Sequence, residues 1–389
     1  MPTVLVTGGS GFIGRAVVEK LLALGCEVRV LARSPKKVPA RPGVEIVAGG
    51  LDDAAALERA CAGAQAVVHL VGIIAEKGGE TFEGVHVEGT RAVLAAARKA
   101  GIRRYLHMSA LGARLEGDAR YPRTKAQAEA LVRESGLDWT IFRPSIVFGP
   151  GDRFVNQFAA MFRFPWNWLQ IHTFPLIGGG KTRLQPVSVD DVAAAFAGAL
   201  SRAEAVGQTY DLVGGEALSL QAILQEVAAA TGTRYVVDGP VPFRLFGRAL
   251  VWLAVAAFPL LLALALVQLA FLLHPAVLFG SSPEAKIRAL DFSGGTVVHV
   301  SPWWWLPALL WAFAVVIALR WRTLVFFPLF WWEARLAARF LQRLPNPPLT
   351  VEQVKMLRTD NTGDPAPAAS AFGLKLAPFR AGIRAYLNP

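Results

Sequence analysis

Charge is scarce in this chain. Of its 389 residues only 18% are Asp, Glu, Lys or Arg, against 53% apolar, and the apolar excess concentrates between about residues 245 and 332. Cysteine is scarcer still. Cys26 and Cys61 are the two present, with neither metal-ligand spacing nor a disulfide framework, which fits a reducing compartment. The histidines (His69, His86, His107, His172, His274 and His299) are scattered without ligand spacing, so no metal site is expected. Acidic residues are outnumbered 29 to 40, for a net charge of +11. There is no long Lys/Arg block and no nucleic-acid motif. A basic surface beside apolar runs points to anionic lipid headgroups, and nucleic acid is not expected as a partner. No signal-peptide pattern precedes the first strand, which starts by residue 3 or 4.

What is present starts at the N-terminus. Val4-Leu5-Val6-Thr7 is a short apolar strand, and Gly8, Gly11 and Gly14 follow at G-x-x-G-x-x-G spacing before the amphipathic run Arg15–Leu24. A turn that sets backbone N–H groups against a pyrophosphate needs residues without Cβ, and the helix behind it presents its positive dipole end. Strand, glycine turn and helix together predict a dinucleotide site. Strands are expected near 3–7, 27–32, 44–47, 66–71, 103–108 and 139–142, with helices near 12–24, 53–61, 84–100 and 120–135. This alternation predicts an α/β, doubly wound (Rossmann) parallel sheet over 1–150. Residues 151–243 are expected to form a small lobe over the carboxyl ends of the strands, with helices opening at Ser188 and Ser219.

Arg33, just after the second strand, stands where an acid would hold the ribose 2′-OH of NAD. An arginine suits a 2′-phosphate, so NADP(H) is the preferred cofactor, with NAD(H) the alternative; Lys36 and Lys37 would add charge. A plain surface arginine is the other reading. Ser109 ends a strand, and twelve residues later comes Tyr121-Pro122-Arg123-Thr124-Lys125. Tyr and Lys at i and i+4 share a helix face. An ammonium beside the phenol would lower its pKa and let it exchange a proton with a carbonyl or carbinol, while Ser109 holds the same oxygen.

Residues 249–273 carry no charge and one amide, Gln268. As a helix they would span about 37 Å, more than a hydrocarbon core. A second apolar run extends from Trp303 to Leu319. Trp303, Trp304 and Trp305 would form one interfacial belt and Trp321 the other. Region 244–344 is therefore expected to hold a two-helix transmembrane hairpin, followed by Thr323–Trp332 and an arginine-bearing amphipathic helix 333–344 lying in the interface. Both outer flanks are arginine-rich (Arg244 and Arg248; Arg320, Arg322, Arg335, Arg339 and Arg343), while the link holds Glu284, Lys286, Arg288 and Asp291. The positive-inside rule places both flanks, and with them the nucleotide domain, in the cytoplasm. The aromatic segment Phe162–Leu169 reads equally as an interfacial dip, a lipid-substrate entry or core packing. The tail, 345–389, opens a short helix at Thr350-x-x-Gln353 and is expected to pack on the nucleotide-binding fold, only loosely, through Phe372–Leu374 and Phe379–Leu387.

Taken together, Thr7-Gly8-x-x-Gly11-x-x-Gly14, Ser109, Tyr121-x-x-x-Lys125 and Arg143-Pro144-Ser145-Ile146-Val147-Phe148-Gly149-Pro150-Gly151-Asp152 resemble an extended or atypical short-chain dehydrogenase/reductase. Pro175–Val187, Val189-Asp190-Asp191-Val192 and the ending Pro347–Asn361 resemble the branch of the NADPH-binding accessory subunit of respiratory complex I and its bacterial relatives. The resemblance covers about 1–245 and 340–389. It implies tight NADP(H) binding through Gly8, Ser10, Gly11, Phe12, Ile13, Gly14 and Arg33. Leu51, Val71, Gly72, Tyr121, Lys125, Pro144 and Ile146 complete that implied set. It also implies association with respiratory or quinone-biosynthesis proteins, at a bacterial inner (cytoplasmic) membrane. Gly50 and His86 depart from the family pattern, which usually has an acid and an asparagine there, and the hydrophobic hairpin is an insertion. Three functions follow as expectations: an oxidoreductase acting on a quinone-like or lipidic carbonyl with Ser109, Tyr121 and Lys125 catalytic; a non-catalytic NADPH-loaded assembly subunit; and, less favoured, a nucleotide-sugar epimerase or dehydratase.

Overall fold

A computed structural model describes residues 1–163, 173–237, 323–343, 347 and 349–387. Seven parallel strands form the main sheet. Along the chain these are β1 (Thr3–Thr7), β2 (Glu27–Ala32), β3 (Val44–Ala48), β4 (Ala66–His69), β5 (Arg104–Met108), β6 (Asp138–Pro144) and β11 (Gln208–Leu212). Their spatial order is β3-β2-β1-β4-β5-β6-β11. The order reverses between β1 and β4, the switch point at which such sheets bind ligands.

Side-chain alternation explains the layering. Val4, Val6, Val28, Val30, Val68 and Phe142 face one side, against α1 (Phe12–Ala23) and α6 (Val189–Ala199). Leu5, Leu31, Val67, Tyr105 and Ile141 face the other, toward α2 (Ala54–Cys61), α3 (Gly89–Lys99) and α4 (Arg120–Arg133). A strand covered on both faces is apolar at successive positions, as Val4-Leu5-Val6 is.

Residues beyond 150 complete the main sheet and its helical layer. β11 pairs with β6 and α6 packs beside α1. The small lobe is built from α5 (Phe154–Arg163) and α7 (Leu220–Ala230), and the chain between the two layers carries the short strands β7 (Val147–Phe148), β9 (Arg183–Leu184), β10 (Val187–Ser188) and β12 (Leu218–Ser219). Its own apolar cluster includes Val155, Ile223, Val227, Phe379 and Ile383.

Three expectations need correction. The stretch after residue 322 is not an interfacial lead-in. Thr323–Leu329 is strand β14, held between β13 (Arg234–Val237) and β8 (Thr173–Ile177) in a parallel three-stranded sheet. The following helix, α8 (Trp331–Leu341), turns Glu333, Ala334, Ala337 and Ala338 into the fold and leaves Phe330 and Trp332 exposed. Small residues at that spacing let it seat closely on protein. The tail is not loosely packed either. α11 (Phe379–Leu387) buries Phe379, Ile383 and Leu387 on one face, and Tyr386 donates to Asp152 at 2.7 Å. Asn361 also ties the tail down. It accepts from Ser145 Oγ at 2.6 Å and donates from its side chain to the Leu111 carbonyl at 3.1 Å. Thr350 and Gln353 form the expected reciprocal cap.

Among the described residues no helix is long and apolar enough to cross a membrane. The expected spans 249–273 and 303–319, and most of the aromatic segment 162–169, lie outside the described residues.

Because Ile383 is completely buried in the small-lobe cluster, Ile383→Ala should destabilise the protein by about 2–5 kcal/mol. Urea unfolding followed by fluorescence measures this, and a loss below about 0.5 kcal/mol would show the C-terminal helix to be peripheral.

Candidate active site

The glycine turn is shaped by contact. Gly8 has φ +80°, a left-handed conformation that glycine adopts freely. A Cβ on Gly14 would fall 2.1 Å from the Gly8 carbonyl oxygen, so α1 meets the turn backbone to backbone. The helix starts at Phe12 behind Gly11, with no side-chain cap and no acid in its first turn. Its first N–H groups therefore lack an internal acceptor, the donor set a pyrophosphate requires.

Beside this turn lies a groove of about 670 Å³ whose lining includes Arg33, Leu51, Asp52, Val71, Gly72 and Ile73. Of the expected cofactor residues, Arg33, Leu51, Val71 and Gly72 thus share one groove. Asp52 fills a gap that sequence reasoning left open. Its carboxylate oxygen lies 2.3 Å from where a Cβ on Gly50 would be, so an acid lines the groove beside position 50 although none stands at it. Asp53 instead caps α2, accepting from Ala56 N–H at 2.9 Å. Pro144 and Ile146 lie on the other side of the sheet's switch point. Pro144 ends β6 and accepts from Leu111 N–H, and Ile146 packs toward the small lobe. Phe12 reaches the Gly149 turn.

Ser109, Tyr121 and Lys125 come from the end of β5 and the first two turns of α4. Lys125 is buried, and its ammonium donates to the Met108 carbonyl at 3.0 Å. A Cβ on Gly72 would sit 3.1 Å from that ammonium, so glycine there keeps the space beside it open. Burial lowers the Lys125 pKa to about 8, against the opposing pull of Glu129. The Tyr121 ring lies edge-on to His86 and Phe82, with centroids at 5.4 and 5.8 Å. The expected depression of its pKa is not found. Burial pushes the phenol up to about 12, without any offsetting influence from the lysine. Ser109 is buried; its hydroxyl makes no close hydrogen bond and faces the Glu129 carboxylate. Burial alone would raise Glu129, but hydrogen bonds from Arg143 and Arg133 hold it below the ordinary carboxylate range. Arg143 donates to both of its oxygens, at 2.7 and 2.6 Å. The open space at Gly72 and the uncapped α1 amides are what a bound dinucleotide would complete, and the orphaned Ser109 hydroxyl is free for a substrate oxygen.

Comparison with known proteins is consistent with this geometry. A family described as NAD(P)H-binding matches residues 8–152. The chain is 35% identical over 218 residues to the mitochondrial NADH dehydrogenase [ubiquinone] 1 alpha subcomplex subunit 9 of Arabidopsis thaliana, covering 54% of this chain and 53% of that one. It therefore spans only about half the length of that relative. It is also 30% identical over 263 residues to the 4-hydroxy-2-methyl-3-oxo-4-farnesyl-3,4-dihydroquinoline-1-oxide ketoreductase of Stigmatella aurantiaca, covering 61% of this chain and 76% of that one. A short-chain dehydrogenase/reductase superfamily protein from Agrobacterium tumefaciens, solved with bound NAD, superposes with a TM-score of 0.51 at 28% identity, over 59% of this chain and 83% of that one. The chain belongs to the extended short-chain dehydrogenases/reductases.

Within this family member the histidines are less scattered than their sequence positions imply. His69 and His107 are register partners on β4 and β5, and their rings stack at 5.5 Å. His69 Nδ1 bonds Thr7 Oγ1 at 2.7 Å and its Nε2 bonds Thr90 Oγ1 at 3.2 Å, tying β1, β4 and α3 together below the glycine turn. His86 accepts from Ile73 N–H at 3.1 Å through Nε2, so its Nδ1 carries the proton shared with Thr124 Oγ1 at 2.9 Å. It joins the loop after β4 to the helix bearing Tyr121. Among the described residues no three His, Cys, Asp or Glu side chains converge as metal ligands. The strand ends were the available signal: two strands reading Val68-His69 and Leu106-His107 side by side must align their histidines.

Burial, aided by the Lys125 charge, lowers His69 and His86 to about 3. Both are neutral in the fold and take up a proton on unfolding below their ordinary pKa of about 6.5. Stability is thus fully present above pH 6.5 and falls as the pH drops. Each histidine should remove up to about 2 kcal/mol between pH 6.5 and 5. Urea unfolding across that range checks this, and a flat profile would mean that the histidines are solvated.

Proposed function

We propose that this protein is a membrane-anchored, NADP(H)-dependent oxidoreductase that reduces a carbonyl on a quinone-like or otherwise lipidic substrate. Its head would face the cytoplasm of a bacterium, and its partners would be membrane lipids and respiratory or quinone-biosynthesis proteins. The observation that carries the reading is convergence along one sheet edge. The glycine turn follows β1, Arg33 follows β2, and Ser109, Tyr121 and Lys125 follow β5.

Bound nicotinamide supplies the hydride. Tyr121 holds its proton at neutral pH, because burial lifts the phenol to about 12. Protonated, as an ordinary phenol also is at neutral pH, it can donate to a carbonyl oxygen in a reduction, although burial makes it the weaker acid. Lys125, with its pKa near 8, is cationic at neutral pH and stabilises negative charge developing on that oxygen or on the phenol. Its ammonium and the open space at Gly72 suit ribose hydroxyls. Arg33 favours a 2′-phosphate through its fork of donors. A lipidic substrate is supported by exposed Ile74 and Leu115 on the loops after β4 and β5, and by the farnesyl-bearing compound named for the Stigmatella aurantiaca relative. Anchoring is supported by the uncharged run 249–273 and its arginine flanks.

A second reading, a nucleotide-loaded structural subunit without turnover, is favoured by the likeness to the Arabidopsis thaliana subunit and by the Ser109 hydroxyl facing Glu129.

Protein purified in detergent separates the two. The enzyme reading expects exchangeable NADPH that short-chain quinones or aldehydes oxidise. Tyr121→Phe should lower turnover by about 10²–10⁴-fold with NADPH affinity retained. Nucleotide that never exchanges, with no turnover to lose, identifies the structural subunit. Carbonate-washed membranes that release the protein would overturn the anchor.

A further inference from the structure

Arg33 does not stand alone at the mouth of the groove. Its guanidinium donates to the Glu80 carboxylate at 2.5 Å. Glu80 belongs to a small flap between β4 and α3. Lys77 and Glu80 pair across a tight turn, and the Glu80 N–H donates to the Lys77 carbonyl at 3.1 Å. The two central residues, Gly78 and Gly79, have φ +62° and +86°. A Cβ on either would meet nothing within 4 Å, so glycine is needed here for backbone conformation and not for space. The flap is anchored behind its tip. The Glu76 carboxylate accepts from Phe82 N–H at 2.9 Å and from Arg120 at 2.8 Å. Gly79, Glu80 and Thr81 line the same groove as Arg33.

We infer that Glu80 competes with the 2′-phosphate of the cofactor for Arg33, and so sets the discrimination between NADPH and NADH. This rests on the reading of Arg33 as the 2′-phosphate residue. A carboxylate and a phosphate ester satisfy a guanidinium through the same donors and the same sign of charge. Glu80 holds Nη1 of the fork, so a 2′-phosphate taking the full set of donors must displace it, and one taking the rest must sit beside it; either way a like charge on the flap opposes the phosphate. NADH brings no anion to this position and leaves the pair in place. The side chain of Arg33 is 68% exposed against 34% for Glu80, so the arginine can turn to a ligand without breaking a buried contact.

The test measures dissociation constants for NADPH and NADH by nucleotide fluorescence or calorimetry, with the full chain in detergent. The wild type, Glu80→Gln, Glu80→Ala and Arg33→Ala are compared. Both Glu80 variants should bind NADPH about five- to twentyfold tighter with NADH unchanged within twofold, and the NADPH gain should shrink as salt is raised. Arg33→Ala should weaken NADPH alone. If the Glu80 variants bind NADPH no tighter, or if both nucleotides shift together, the competition is overturned while the Arg33 reading stands. If Arg33→Ala weakens both nucleotides equally, the 2′-phosphate reading falls and the competition with it. Absence of binding by the wild type overturns the cofactor site and this inference together.

Discussion

The contact between Gly14 and the Gly8 carbonyl governs everything built at the carboxyl edge of the sheet. With 2.1 Å between that oxygen and the place a Cβ would take, helix α1 approaches the turn as bare backbone. This approach sets the direction of the first free amides of α1. It also brings the turn against the loop after β4, where a Cβ on Gly8 would lie 3.1 Å from Leu70 and Val71. The row Thr7, His69 and Thr90 locks the same junction from beneath with side-chain hydrogen bonds. A fixed cradle of this kind binds a ligand without reorganising, which is how affinity and orientation are gained together.

Electrostatics at the reacting end are one-sided. Lys125 is buried among groups that burial keeps neutral: His69, His86, His107 and Tyr121. Glu129, one helical turn away, is engaged by two arginines. The lysine charge is therefore little screened and acts over the space beside Gly72. The tyrosine, in contrast, keeps its proton. A protonated phenol and a cationic lysine thus lie within one turn of each other on α4.

Much of this was legible in the sequence where the signal is local. The glycine spacing, the strand ends and the Tyr-x-x-x-Lys interval each report short-range geometry, and the sheet follows from apolar strands alternating with amphipathic helices. What escaped was long-range. His69 and His107 are 38 positions apart in the chain and neighbours in register. The tail looked loose because its apolar residues are sparse; their i, i+4, i+8 spacing at Phe379, Ile383 and Leu387 puts all three on one buried face. Thr323–Leu329 read as the lead-in to an interfacial helix because its hydrophobicity carries no sign of which surface covers it; two parallel strand partners do. The phenol of Tyr121 follows the same rule: its i, i+4 proximity to Lys125 is legible in the sequence, whereas the burial that dominates its proton affinity is not.

The pairing of β13 with β14 has a topological consequence. Val237 is opposite Phe326 and Thr323 opposite Arg234, so positions 237 and 323 lie on adjacent parallel strands only about 10 Å apart along the strand direction. Two segments far apart in sequence are thereby locked to each other by a backbone ladder, which holds whichever side chains the strands carry.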